Sequence, residues 1–372
     1  MKHLTLFASS LQCGGAERVL VMLAEGFQQQ GYRVSVITLS GKDSDFYSLP
    51  EGVTRIALDV MGNSANPVAA ISNNLKRYAR LRQAVQQLDP DAIISFVARE
   101  NITLLLALWG TSYPIFVTEH NDQRFRTLSQ PWSTIRRLVY PRATAVVSVS
   151  EGVNQYFDWL PKTQKAVIYN PFTAPNAESL AIDTLPPGVD PSKKWLLSMG
   201  RLIEQKGFDY LLEAWAMCHS NSDWQLIVLG DGELKPQLLA QKERLGLGNE
   251  VVFAGKVKKP FALMNRGEFF VMASRFEGFP MAHGEALACG LPVVATDCPS
   301  GPAEIVRDGV DGILVPPGDV TALATAIEKL ISNQELRSNL SAKAQEVTQR
   351  FSISKVIADW EVLFARNGIS EK

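Results

Sequence analysis

The chain has 372 residues, 46% hydrophobic and 20% charged, with a formal net charge of −1. This is the length of two or three domains and the composition of an ordinary folded protein, which excludes disordered and fibrous classes. The near-zero charge gives no global field for nucleic acid, so none is expected as a partner. Residues 1–170 are mildly basic, with 17 Lys+Arg against 13 Asp+Glu, whereas the remainder has 20 against 25.

In chain order, residues 4–9 form a short apolar strand, followed by a glycine-bearing turn and an amphipathic stretch over 16–29. Gly31 stops that helix, and residues 33–39 form the next strand, so β-loop-α-β is the natural reading. The opening resembles a signal peptide only superficially, because its apolar stretch is short and no small-residue cleavage site follows. No apolar run reaches bilayer length. Cys13, Cys218, Cys289 and Cys298 show neither metal-ligand spacing nor a disulfide framework. Together these features predict a cytoplasmic protein with reduced thiols.

Further strands are expected at 92–96, 115–118, 145–149 and 166–169, with helices between most of them. The Pro- and Ala-rich stretch from Pro171 to about Pro191 then breaks the pattern and reads as a linker. The plan restarts with a strand at 195–199, a helix at 208–218 and a strand at 225–229. Strands at 251–254, 269–272, 293–296 and 312–315 follow, then a helical stretch over 320–351 and a helical tail over 356–366. The alternation predicts an α/β chain with two doubly wound parallel sheets, whose ligands bind beyond the carboxyl ends of the strands.

Gly14-Gly-Ala-Glu-Arg18 follows the first strand and opens a helix. Paired glycines let a backbone approach an anion closely, but a tight strand–helix turn explains them equally well. Gly200-Arg201 ends the first strand of the second half, with Lys206-Gly207 at the next helix start; this is either a diphosphate clamp or solvated surface charge. Glu277-Gly-Phe-Pro-Met-Ala-His-Gly-Glu285 places one carboxylate before a helix and one inside it. Eight residues at helical rise span up to about 12 Å, beyond the roughly 5 to 9.5 Å of a glycosidase pair. That reach suits two grips on an elongated ligand, the alternative being two surface glutamates. Asp89-Pro-Asp91 precedes a strand and reads as a turn, and Asp43-Ser-Asp45 lies in a polar loop, so no metal site is expected.

Taken together, these features resemble the retaining glycosyltransferases of family 4, which have the two-domain GT-B fold. The resemblance rests on Gly14-Gly-Ala-Glu17, Gly200-Arg201 with Lys206-Gly207, Leu229-Gly-Asp-Gly-Glu233, and Ser274-Arg-Phe-Glu-Gly-Phe-Pro280 leading into Glu285-Ala-Leu-Ala-Cys-Gly290. It continues in Pro299-Ser-Gly-Pro-Ala-Glu-Ile305 and Asp308-Gly-Val-Asp-Gly312. It implies two facing Rossmann-like domains with a cleft between them. Residues 1–170 would form the acceptor side, with the tail 355–372 packing back on it, 171–192 the linker, and 193–354 the donor side.

The same resemblance assigns roles. Arg201 and Lys206 neutralise the donor diphosphate, and Glu277 binds the transferred sugar with the backbone of Gly278 and Phe279. Glu285 binds the ribose, Gly15 lets its loop approach the phosphates, and His120 in Val117-Thr-Glu-His-Asn121 stands near the donor sugar. The implied reaction is metal-independent, front-face transfer of a hexose or N-acetylhexose from a nucleotide sugar, UDP-linked in relatives of this kind. No separate cofactor is implied. The acceptor would be a glycan or a polyprenyl-pyrophosphate-linked glycan of a polysaccharide or lipopolysaccharide pathway.

The segments Leu75-Lys-Arg-Tyr-Ala-Arg-Leu-Arg82, Phe125-Arg126 and 132–142 mix apolar and basic residues. They suit peripheral contact with an anionic membrane face, or else an amphipathic helix packed on its own sheet with a solvated basic side. The alternative functions are a GT-B sugar-nucleotide epimerase, which needs no acceptor, and a non-enzymatic two-domain protein that binds a small ligand.

Overall fold

The protein is described by a computed structural model that covers every residue except Met1, residues 63–66, Arg126, Asp183, residues 219–222 and residues 370–372; of residues 67–71 it describes the backbone alone. The chain divides into two compact units, Met1–Pro171 with Ile353–Lys372, and Phe172–Ser352.

The first unit is built on strands β1 His3–Ala8, β2 Arg33–Thr38, β3 Thr54–Ala57, β4 Ala92–Phe96, β5 Ile115–Glu119, β6 Ala145–Ser148 and β7 Lys165–Val167. They form one parallel sheet in the order β3-β2-β1-β4-β5-β6-β7. β1, β4, β5 and β6 are buried along their whole length, because helices on both faces leave a parallel sheet no solvated side. Strand β3 is partly exposed, short and at the edge, and its mixed Thr-Arg-Ile-Ala gave no strand signal in the sequence. Asp91 accepts a hydrogen bond from the His3 N–H at 2.8 Å, which fixes the Asp89–Asp91 segment as a turn at the start of β4.

Helix Gly15–Gln29 buries Val19, Leu20, Leu23, Ala24 and Phe27 along one stripe. Helix Ile353–Arg366, though last in the chain, belongs to this unit. Its Phe364 stacks on Phe27 with ring centroids 5.9 Å apart, and its Trp360 meets Phe116 edge-on at 6.0 Å. Gly26 makes this packing possible, since a Cβ there would stand 2.7 Å from a side-chain carbon of Ile353 and 3.0 Å from one of Ile357.

The second unit repeats the plan with β8 Lys194–Met199, β9 Trp224–Leu229, β10 Val251–Gly255, β11 Phe269–Met272, β12 Val293–Thr296 and β13 Gly312–Val315. The order is β10-β9-β8-β11-β12-β13, again all parallel. One core beside this sheet joins Phe208, Leu211 and Trp215 to Leu323, Ile327 and Leu330. The stretch 171–192 contains a helical turn, Ala177–Leu180, and Phe172 is buried between Phe279 and Phe351. The helical stretch over 320–351 consists of three helices, Val320–Ser332, Gln334–Ala344 and Val347–Arg350. Asn333 makes the first break. Its extended backbone ends one helix and its side-chain oxygen caps the next, accepting from Leu336 N at 2.9 Å.

In both units the strand order reverses beside the first strand, between β1 and β4 and between β8 and β11. Loops leaving adjacent strands diverge there, and the opening beyond the carboxyl ends is the ligand position of such sheets.

Replacing Gly26 with Leu forces the C-terminal helix outward. A stability loss of about 1–3 kcal/mol is expected, read as a lower denaturation midpoint with earlier proteolysis of the tail. An unchanged midpoint would show that the helix contact contributes little.

Candidate functional site

The carboxyl ends of β8 and β11 carry the segments Gly200–Gly207 and Ala273–Pro280. They meet through an ion pair, with Lys206 Nζ 2.6 Å from Glu277 Oε1. The Lys206 and Glu277 side chains are 17% and 5% exposed, so water screens the pair little. Ser274 donates its hydroxyl to the same oxygen at 2.6 Å, and Gln205 Nε2 donates to Oε2 at 3.4 Å and to the Phe276 carbonyl at 3.1 Å. Thr296, at the end of β12, ties Ser274 down by donating to its carbonyl at 2.6 Å.

Glycines permit this crowding. Gly207 has φ +62°, and a Cβ there would overlap the Ala273 carbonyl. Gly230 has φ +133°, and its Cβ would overlap the Gly200 carbonyl. On the far side, Gly301 at φ +90° lies against Gly278 and Phe279, while Glu277 N donates to the Pro299 carbonyl at 3.1 Å.

Arg201 is exposed on the same loop as Lys206, and its guanidinium has no partner among the described residues. Glu285 is buried in helix Met281–Ala288, for which Pro280 serves as the capping residue. The second unit thus holds Arg201, Lys206, Glu277, Gly278, Phe279 and Glu285 on segments that leave β8 and β11. His283, in the same helix, was not anticipated. It is 1% exposed, packs edge-on to Phe270, and neither ring nitrogen has a partner among the described residues. Burial, helped by the Lys206 charge, lowers its pKa to about 3, so the ring is neutral.

The first unit places Gly15 and His120 at the carboxyl end of its own sheet. Gly15 is the exposed first residue of helix Gly15–Gln29, with Gly14 extended before it. His120 follows β5, stacks on Phe96 with centroids 5.5 Å apart, and contacts Thr118 Oγ1 through Nε2 at 2.9 Å. Burial lowers its pKa to about 4.

Beside it lies a second unanticipated group. Glu119 is wholly buried, accepts hydrogen bonds from Tyr140 and from Gln123 at 3.4 Å, and is approached by Asn101 at 3.5 Å. Burial pushes its carboxyl up to about 7, against the lowering influence of Arg136 and of these hydrogen bonds. Among the described residues no group of three or more His, Cys, Asp or Glu is arranged to hold a metal ion.

Two tandem parallel sheets that share the order 3-2-1-4-5-6, the first with a seventh strand at its edge, have the doubly wound architecture of the two-domain GT-B class. Residues 14–171 match the family model described as a glycosyl transferase 4-like domain, and residues 186–347 match that of the glycosyl transferases group 1. The chain belongs to the glycosyltransferases of the GT-B class. It is 28% identical over 96% of its length to a Campylobacter jejuni protein, 98% of which is covered. That protein is named N-acetylgalactosamine-N,N'-diacetylbacillosaminyl-diphospho-undecaprenol 4-alpha-N-acetylgalactosaminyltransferase. A second Campylobacter jejuni protein, an alpha-1,4-N-acetyl-D-galactosaminyltransferase acting on a related undecaprenol-linked glycan, is 26% identical over 98% of the chain and 99% of its own length. Among solved structures, HepE of Anabaena in complex with UDP-glucose superposes with a TM-score of 0.81 at 22% identity, covering 98% of this chain and all of that one.

Glu119 generates a pH prediction. Its folded pKa of about 7 lies above the ordinary 4.5, so the folded state holds the extra proton between those values. Its contribution to stability is complete below pH 4.5 and lost as pH rises through about 7. Glu119→Gln, which cannot ionise, should melt higher than wild type at pH 8 and within a degree or two of it near pH 5. Parallel melting profiles across this range would contradict the assignment.

Proposed function

We propose that the protein is a retaining hexosyltransferase that moves an N-acetylhexosamine from a UDP-sugar to a glycan carried on polyprenyl diphosphate. The observation that carries this reading is the cationic pair on the β8 loop, the exposed Arg201 and the Glu277-bound Lys206, at the strand-order reversal of the second sheet. The class of acceptor and of sugar is supported by the two Campylobacter jejuni relatives.

In this reading the donor diphosphate lies against Arg201 and Lys206. Its bond to the anomeric carbon breaks, the acceptor hydroxyl bonds to that carbon from the same face, and the departing phosphate oxygen takes the hydroxyl proton. The side chains therefore supply position and preorganised charge rather than a strong base. Glu277 holds the sugar, with Gly278 and Phe279 beside it, and Glu285 holds the ribose. Gly15 is assigned to the phosphates and His120 to the sugar. The leaving group needs no metal in this scheme, since two cations already face it.

Removing such a cation costs about 10²-fold or more in rate. Arg201→Ala should therefore lower turnover of UDP-N-acetylgalactosamine with an undecaprenyl-diphosphate glycan by at least that factor while leaving the circular dichroism spectrum unchanged, and wild type should keep its turnover in excess chelator. Near-normal turnover by folded Arg201→Ala, or strict metal dependence, would overturn the reading.

A lipid-borne acceptor requires contact with a membrane surface, and no helix among the described residues is long and apolar enough to cross one. The first unit exposes Leu75, Trp109 and Leu138, and the Arg142 guanidinium lies over the Trp109 ring at 3.9 Å. Some basic residues in this region serve the fold instead. Arg82 donates to the Ala107 and Trp109 carbonyls at 3.3 and 3.0 Å, and Arg136 is buried against Tyr156, while Arg126 lies outside the described residues. Lys76, Arg137 and Arg142 remain exposed. We assign this face to anionic lipid. Sedimentation with phosphatidylglycerol vesicles should be seen at low salt, weaken with added salt, and fall for Trp109→Ala combined with Leu138→Ala. Equal sedimentation of the double variant would remove this surface from the account.

A further inference from the structure

The contacts of one hydroxyl determine what His120 offers a ligand. Thr118, 3% exposed near the end of β5, has its Oγ1 2.9 Å from the Ser95 carbonyl of β4 and 2.9 Å from His120 Nε2. A hydroxyl has one proton. The Ser95 carbonyl has none, so without the hydroxyl proton between them two oxygens at hydrogen-bond distance would face each other lone pair to lone pair. The proton therefore goes to Ser95, and the second contact requires a proton on His120 Nε2, which donates to Thr118 Oγ1.

The backbone around Thr118 is pinned as well. Its carbonyl accepts from Val97 N at 3.2 Å and from Asn101 Nδ2 at 2.9 Å. Val97 sits at φ +72°, a conformation a β-branched residue adopts only when its surroundings impose it. Phe96 stacks on the imidazole and fixes its plane. No described residue bonds to His120 Nδ1, and the ring borders a small cavity with Val19, Asn170 and Trp360.

We infer that Thr118 is a positioning residue that holds His120 as its Nε2–H tautomer, so that Nδ1 is presented as a hydrogen-bond acceptor toward a hydroxyl or acetamido N–H of the bound sugar. The choice of ligand group rests on the transferase reading given above; the tautomer does not. The ring stays neutral at neutral pH because burial lowers its pKa to about 4. An unprotonated Nδ1 repels a phosphate oxygen, so His120 contributes nothing to the diphosphate and acts on the sugar alone.

Nitrogen-15 NMR of histidine-labelled protein without ligand tests the tautomer directly. At pH 7 the expected His120 pattern is a protonated Nε2 and a bare Nδ1, assigned by comparison with His120→Gln. A protonated Nδ1, or an imidazolium, overturns the inference whatever the enzyme transfers. The second arm uses UDP and UDP-N-acetylgalactosamine as probes. Thr118→Val should bind UDP as wild type does and bind the UDP-sugar about threefold to tenfold more weakly, the worth of one neutral hydrogen bond. Thr118→Ser, which keeps the hydroxyl, should restore both the NMR pattern and the affinity. Equal loss of UDP and UDP-sugar binding in Thr118→Val, or no rescue by Ser, would reduce Thr118 to a packing role. Should wild type bind neither probe while showing the bare Nδ1, the transferase reading fails and the tautomer assignment stands.

Discussion

A carboxylate with 4% of its surface exposed keeps its charge only if the protein replaces the water it has lost, and Glu277 is placed where three side chains do so. Lys206 supplies the countercharge, Ser274 a short hydrogen bond and Gln205 a longer one. These partners leave the carboxyl ends of two adjacent strands, β8 and β11. The two strands are hydrogen-bonded neighbours at the strand-order reversal, so the segments that leave them start side by side. The left-handed Gly207 is part of the same constraint, because a side chain there would drive the Lys206 loop off Ala273. Backbone conformation, sheet order and site charge are thus one requirement met at three levels.

The two units share a sheet order but differ in electrostatic character. At its carboxyl ends the second presents two cations and two carboxylates. In the first, burial pushes several groups toward neutrality, beside the exposed Arg99 and the Arg124–Asp122 ion pair. The His120 ring is held uncharged with a pKa of about 4, the Glu119 carboxyl is raised to about 7, and burial also raises Glu100. In the proposed reading the charged groups of the second unit suit a charged leaving group, and the neutral His120 ring suits sugar hydroxyls, which lose much if left unpaired.

Much of this was legible in the sequence, for reasons tied to particular residues. The buried strands read as apolar runs because a doubly covered parallel sheet demands them. Arg201, Lys206 and Glu277 were picked out by their place in the segments after such runs, while their roles came from the resemblance to a known family. Strand β3 was not legible, since its Thr-Arg-Ile-Ala sits at a sheet edge and needs no apolar signature. The break at Asn333 was missed because helical periodicity continues across it, and the capping geometry that ends one helix and starts the next is a backbone property. Ser274, three residues before Glu277, stood inside a motif already singled out, but its role depends on Thr296 holding its carbonyl from another strand. The Thr118–His120 pair was visible as neighbours in Val-Thr-Glu-His, yet its meaning lies in the Ser95 carbonyl of β4. Contacts between residues distant in sequence are what one chain's pattern cannot display.

Arg201 and Lys206 lie five residues apart on one loop but begin from different states, and under the proposed function this difference bears on how a diphosphate would be received. Lys206 is already bound to Glu277 at 2.6 Å, whereas Arg201 is exposed and unpartnered among the described residues. An arriving anion meets Arg201 with no internal bond to break, and its planar fork matches two phosphate oxygens. Lys206 has three N–H donors, so in that reading it could serve a phosphate while keeping one bond to Glu277. Were Glu277 held by Lys206 alone, a competing anion would free it to rotate. Ser274 and Gln205 remove that freedom, because neither carries a charge that a phosphate can draw away. In the proposed reading, the carboxylate assigned to the sugar is therefore fixed by neutral donors, and the cation beside it is left free to turn toward the ligand.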